Sequence, residues 1–123
     1  MPRAQPVPLA LAYAWTHFIG GHNGRLGTRE DVTLHQRYMD DIAQESRQAI
    51  DTVDPTRYFV KYAENSWAAV TGYLDEIARV AAAPVIEKYT GVIAAADVYT
   101  ESTTFWVMQS IRLDLGHGSQ VHP

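Results

Sequence analysis

From Thr28 onward, apolar positions recur at steps of three and four. Val32, His35, Met39, Ile42, Ser46, Ala49 and Val53 share one face, while Asp40, Asp41, Gln44, Glu45, Arg47, Gln48 and Asp51 mostly populate the other. That pattern predicts an amphipathic helix of about 25 residues, about 37 Å long. Thr28 and Asp31 have capping-box spacing, and Arg29-Glu30-Asp31 puts acid in the first turn, where the helix dipole favours it. Asp54-Pro55 restarts the helical signal with a capping residue and a proline at the first helical position. Phe59, Tyr62, Ser66/Trp67, Val70, Leu74, Ile77 and Ala81 then form a buried stripe. Asn65 can cap a fresh start, so residues 56–89 are either one bent helix or two. Pro84 lacks an amide donor and is expected to kink or stop the helix that reaches it. Val85 to Tyr89 adds a turn or two before Gly91, and Ile93 to Val98 is an apolar linker. Ser102 or Thr103 opens a last helix through about Leu113, burying Phe105, Met108, Ile111 and, just past its end, Leu115.

The N-terminal side reads differently. Pro2, Pro6 and Pro8 oppose regular structure, Leu9 to Tyr13 suits a short helix, and Trp15 to Ile19 reads as a strand ended by Gly20-Gly21. No second run of that type follows. An unpaired strand leaves backbone donors and acceptors open, so it calls for another copy or for a sheet supplied from elsewhere. The expected fold is mostly α, with three to five helices and a short N-terminal extended segment. Residues 1–27 form the N-terminal segment, 28–115 the helical domain and 116–123 a disordered tail.

Composition narrows the partners. The 123 residues are 46% hydrophobic and 20% charged, with a net charge of −4 and no cysteine. One folded domain fits, and neither charge sign is clustered, which argues against nucleic acid and against an anionic membrane. The lack of cysteine removes disulfides, thiolate zinc, iron–sulfur ligation and a thiol nucleophile. The opening MPRAQPVPLALAYAW carries one Arg and three prolines with no small-residue cleavage site, and no run approaches a bilayer-spanning length. The expected compartment is the cytoplasm.

Local motifs do not assemble a catalytic site. The five histidines include no HxH, HxxxH or HExxH, His117 and His122 fall in the expected tail, and His35 falls on or near the buried helix face. Asp40-Asp41, Glu45 and Asp75-Glu76 read as solvated faces. Arg37 with Asp41 and Asp75 with Arg79 have the spacing of ordinary helix pairs. The segment GGHNGRLGT (20–28) leads from strand to helix as phosphate loops do, yet it matches neither GxGxxG nor GxxxxGK[ST].

The segment THFIGGHNGRLGTREDV (16–32) resembles the end of the catalytic domain of metallo-β-lactamase-fold hydrolases, zinc-dependent αββα enzymes. NSWAAVTGYLDEI (65–77), EKYTG (87–91) and ADVYTESTTFWVMQSIRLDLG (96–116) resemble the helical C-terminal extension of one branch, so the likeness runs from about Ala10 to Gly116. It implies that His22 stands where the family has its last zinc ligand, helping to hold one of two zinc ions that share a hydroxide nucleophile. The family's HxHxDH motif, its middle His and its bridging Asp are absent. The chain therefore resembles the C-terminal third of an enzyme, either a fragment or a stand-alone remnant.

The expected function is that of a helical C-terminal module, not catalytic alone, that acts by association. Its partner would be a second copy or the missing sheet domain of a parent, and no cofactor is expected in this chain alone, zinc being implied only by the resemblance. Two alternatives stand beside it. One is a small helical protein binding an apolar ligand among Tyr62, Trp67, Phe105 and Trp106. The other is a hydrolase site completed between chains by His22 and His35.

Overall fold

A computed structural model describes residues 10–20 and 26–113. The fold is mostly α, with two short strands and four helices among the described residues: β1 (Phe18–Ile19), β2 (Leu26–Gly27), α1 (Arg29–Thr52), α2 (Thr56–Lys61), α3 (Ser66–Tyr89) and α4 (Ala96–Leu113). Contacts group into two compact units divided within α1, between Asp40 and Asp41.

In the first unit the expected lone strand has a partner. β1 pairs antiparallel with β2, Phe18 opposite Gly27 and Ile19 opposite Leu26. The partner went unseen because it is two residues long and lies in the segment read as a glycine loop. Gly27 suits this register: an added Cβ would come within 2.7 Å of Phe18 Cδ1, so the phenyl ring occupies the space that a side chain would need. The predicted capping box forms at once after β2. The Thr28 amide donates to Asp31 Oδ2 at 2.7 Å, and the Asp31 amide reaches back to Thr28 Oγ1 at 3.4 Å.

The second unit holds the core. Ala49 from α1, Leu74, Ile77 and Ala81 from α3, and Met108 from α4 form its buried cluster, with Val70 and Phe105 packed against it. Such a cluster lowers the free energy by removing apolar area from water, at roughly 25 cal/mol per Å². The predicted break between residues 56 and 89 resolves as two helices. α2 ends at Lys61, and Asn65 caps α3 by accepting the Ala68 amide at 3.0 Å. Because the backbone at Tyr62 leaves the helix, helical phase does not carry over. Phe59 and Trp67, expected in one buried stripe, are therefore exposed.

Two further elements are settled by the structure. Of the kink or stop expected at Pro84, the stop does not occur, and α3 runs through it. An interior proline costs about 3 kcal/mol, but Ala81, Ala82, Val85 and Tyr89 are all buried around it and hold the helix on both sides. The last helix begins at Ala96, six residues before Ser102. Ser102 Oγ and Thr103 Oγ1 do not cap it; each donates back to the Tyr99 carbonyl at 3.0 Å, the bond a helix-interior hydroxyl makes. The reversal between α3 and α4 uses Gly91 at φ +83° and Ala95 at φ 55°.

Candidate functional site

His22, the residue singled out as a zinc ligand, lies outside the described residues, in the stretch that joins β1 to β2. The expected tail, with His117 and His122, and the proline-rich start also lie outside them. The other two histidines are placed. His17 is exposed, its Nδ1 3.0 Å from Thr16 Oγ1. His35, expected at or near the buried face of α1, is exposed, and its ring centre lies 6.5 Å from that of Tyr38. In helical phase His35 falls with the buried Ile42 and Ser46, yet it belongs to the first unit, whereas they belong to the second.

A zinc site needs three or four converging donors. Among the described residues no three His, Asp or Glu side chains come together in that way, so the donors present there do not fit the metal.

The carboxylates have structural partners that sequence spacing did not give. Asp41 Oδ2 accepts from Lys88 Nζ at 2.6 Å and from Tyr89 Oη at 2.6 Å, joining α1 to the end of α3. Glu76 accepts from Arg79 at 2.7 and 2.9 Å and from Arg57 at 3.0 Å, tying α2 to α3. Asp41 and Glu76 are both half-buried, whereas the spacing had set them on solvated faces. The Arg79 hydrogen bonds, then the nearby Arg79 and Arg57 charges, hold the Glu76 carboxyl below the ordinary glutamate range against the cost of its partial burial. Hydrogen bonding to Asp41 holds the Lys88 ammonium above the ordinary lysine range. Apart from the Glu76–Arg79 pair within α3, these are ties between helices, made by side chains in their ordinary charge states at neutral pH. None resembles an acid or base poised near neutrality.

Two surface grooves stand out among the described residues. In the first unit, residues 11–16 and Arg29 surround one of about 630 Å³. Arg29 organises that wall: its guanidinium donates to the carbonyls of Tyr13, at 2.8 Å, and Leu11, and lies 4.9 Å from the Trp15 ring centre. Two of its donors are engaged by the chain itself. In the second unit a groove of about 400 Å³ has Ala78, Val98 and Phe105 as its apolar walls, with Asp75, Asp97 and Glu101 at its rim. Of the four aromatics proposed to cradle an apolar ligand, Phe105 lines this groove. Trp106 meets Phe105 edge to face at 5.8 Å but points its bulk to solvent, and Trp67 is 84% exposed.

Sequence reasoning missed the feature that sets this surface apart. Tyr99, Trp106 and Leu113 are 64%, 72% and 69% exposed on α4. Their spacing of seven is visible in the sequence, but a helical apolar stripe reads alike whether it meets its own core or another molecule. No protein-family model matches the chain, and neither the curated proteins nor the solved structures yield a match.

Proposed function

We propose that the chain is a helical C-terminal module related to metallo-β-lactamase-fold zinc hydrolases, not catalytic by itself, that works by association. The order of the segments GGH, RLGTR, NSWAAVTGYLDEI and EKYTG supports the relationship. The observation that carries the association is the exposure of Tyr99, Trp106 and Leu113 along one helix whose opposite face fills the core. Large apolar side chains grouped in this way mark surfaces that another molecule covers. The two-stranded ladder adds to it, since each strand has one neighbour in a sheet only two residue pairs long.

Metal content per chain tests this reading. Untagged protein, dialysed against zinc without chelator, is expected to hold zinc far below one ion per chain and to cleave no ester or lactam substrate. Near-stoichiometric zinc that is lost in His22→Ala would overturn the proposal in favour of a hydrolase site.

A further inference from the structure

α1 is supported unequally along its length. In its first half, Arg29 to Asp40, Tyr38 is the one buried residue. In its second half Ile42, Ser46 and Ala49 are buried, and Ile50 packs against the core cluster. The division between the two units falls at the junction, between Asp40 and Asp41. The ties described within the first unit are local. They are the two residue pairs of the β ladder, the Thr28–Asp31 box, and the Arg29 guanidinium on the carbonyls of Leu11 and Tyr13 and over Trp15. Bonds of this kind, with little buried apolar area behind them, belong to the parts of a fold that open most readily.

Asp41 marks the junction twice. Its carboxylate is clasped by Lys88 and Tyr89 from the end of α3, which fixes the second half where it begins. In sequence it also opens a second helix-start signal. Asp41 with Gln44 has capping-box spacing, Ile42 begins the apolar run behind it, and Asp40 adds acid where a helix start favours it. The first box, Thr28 with Asp31, serves the helix as it stands. The second has no work while α1 is continuous, because the amides just after Asp41 then bond to carbonyls of the first half. It is needed only when those carbonyls are withdrawn. We infer that α1 is a two-stage helix: residues 29–40 open together with the first unit while residues 41–52 stay folded on the core, re-capped at Asp41. This hinge requires neither a parent enzyme nor association.

Native-state hydrogen exchange of the full chain in low urea, read by mass spectrometry, tests the hinge. Amides of residues 33–40 are expected to exchange at least about tenfold faster than those of 43–50, and to respond weakly to urea because their opening exposes little surface. Amides of 43–50 and 77–82 should share a slow rate and a steep urea response. Arg29→Ala should accelerate exchange in 33–40 several-fold and leave 77–82 and the melting temperature unchanged. Ile77→Val, a mild truncation in the core, should accelerate 43–50 and 77–82 and leave 33–40 as they were. One common rate and urea slope along α1, a first half indifferent to Arg29→Ala, or either variant accelerating both halves alike would overturn the inference.

Discussion

Tyr89 Oη donates to Asp41 Oδ2 at 2.6 Å, linking residues 48 apart in sequence and fixing the end of α3 against α1. The tyrosine is buried and the carboxylate half-buried, so the bond works in a partly desolvated setting where a charged acceptor counts for more. Tyr89→Phe keeps the packing and removes the donor. It is expected to cost about 1.5 kcal/mol in urea unfolding. Lys88→Met should cost less, because that ammonium reaches the same oxygen from solvent. A Tyr89→Phe variant as stable as the parent would show that the bond contributes nothing net.

The core cluster sets a larger scale. Ile77 is fully buried at the centre of α3, against Ala49, Ala81 and Met108. Truncation to alanine loses the transfer free energy and leaves a cavity, at about 2–5 kcal/mol. For a domain of this size that is a large part of the total stability. Ile77→Ala should lower the urea midpoint sharply, whereas Trp67→Ala, at a far larger but exposed residue, should leave it nearly unchanged. Comparable losses from both would mean that Trp67 is covered in solution.

Acid should weaken the tie between α2 and α3. Glu76 titrates below its ordinary range in the folded state because Arg79 and Arg57 favour its charged form. A carboxylate of this kind contributes stability above the unfolded-state pKa and loses it as pH falls through the folded-state pKa. The wild type should therefore melt a few degrees above Glu76→Gln near pH 7, and the gap should close between about pH 5 and pH 3. A gap that is constant across this range would assign the effect to packing. The arginine partners are mostly exposed, so salt should narrow the gap as well.

How much of this was legible in the sequence depends on how far each feature repeats. α1 and its Thr28–Asp31 cap were readable because one periodicity runs uninterrupted for six turns behind an explicit box. The start of α4 was not, since Ser102 and Thr103 look like caps yet bond backward to Tyr99, and the turn before Ala96 uses an alanine where glycine is the usual signal. Pro84 does not stop the helix for a tertiary reason: four buried neighbours outweigh a local penalty that propensity alone makes decisive. Within the candidate site, the phase that put His35 on the buried face held for Ile42, Ser46 and Ala49 but did not bury the imidazole, since His35 belongs to the first unit and those residues to the second. The partners of Asp41, and Arg57 as a partner of Glu76, come from other helices and left no trace in local spacing, while Arg79 bonds Glu76 at i,i+3 rather than Asp75 at i,i+4.

Two hydroxyls in the interior have no evident partner. Ser46 Oγ on α1 and Thr104 Oγ1 on α4 are fully buried, and neither has a hydrogen bond among the described residues. Both hold positions of the helix periodicity that face the apolar cluster, one turn from Ala49 and Met108 respectively. Burying a hydroxyl without a partner costs about 1–3 kcal/mol relative to leaving it in water, and removing the oxygen while keeping the shape recovers part of that. Thr104→Val is close to isosteric, and Ser46→Ala also improves helix propensity. Each is expected to stabilise the fold by about 1 kcal/mol, and the pair to add, read as a higher urea midpoint at unchanged slope. The same substitutions should leave sedimentation unaltered, because neither side chain reaches the surface. Destabilisation by either would mean that the hydroxyl is hydrogen-bonded in solution, to a backbone carbonyl of the preceding turn or to a buried water.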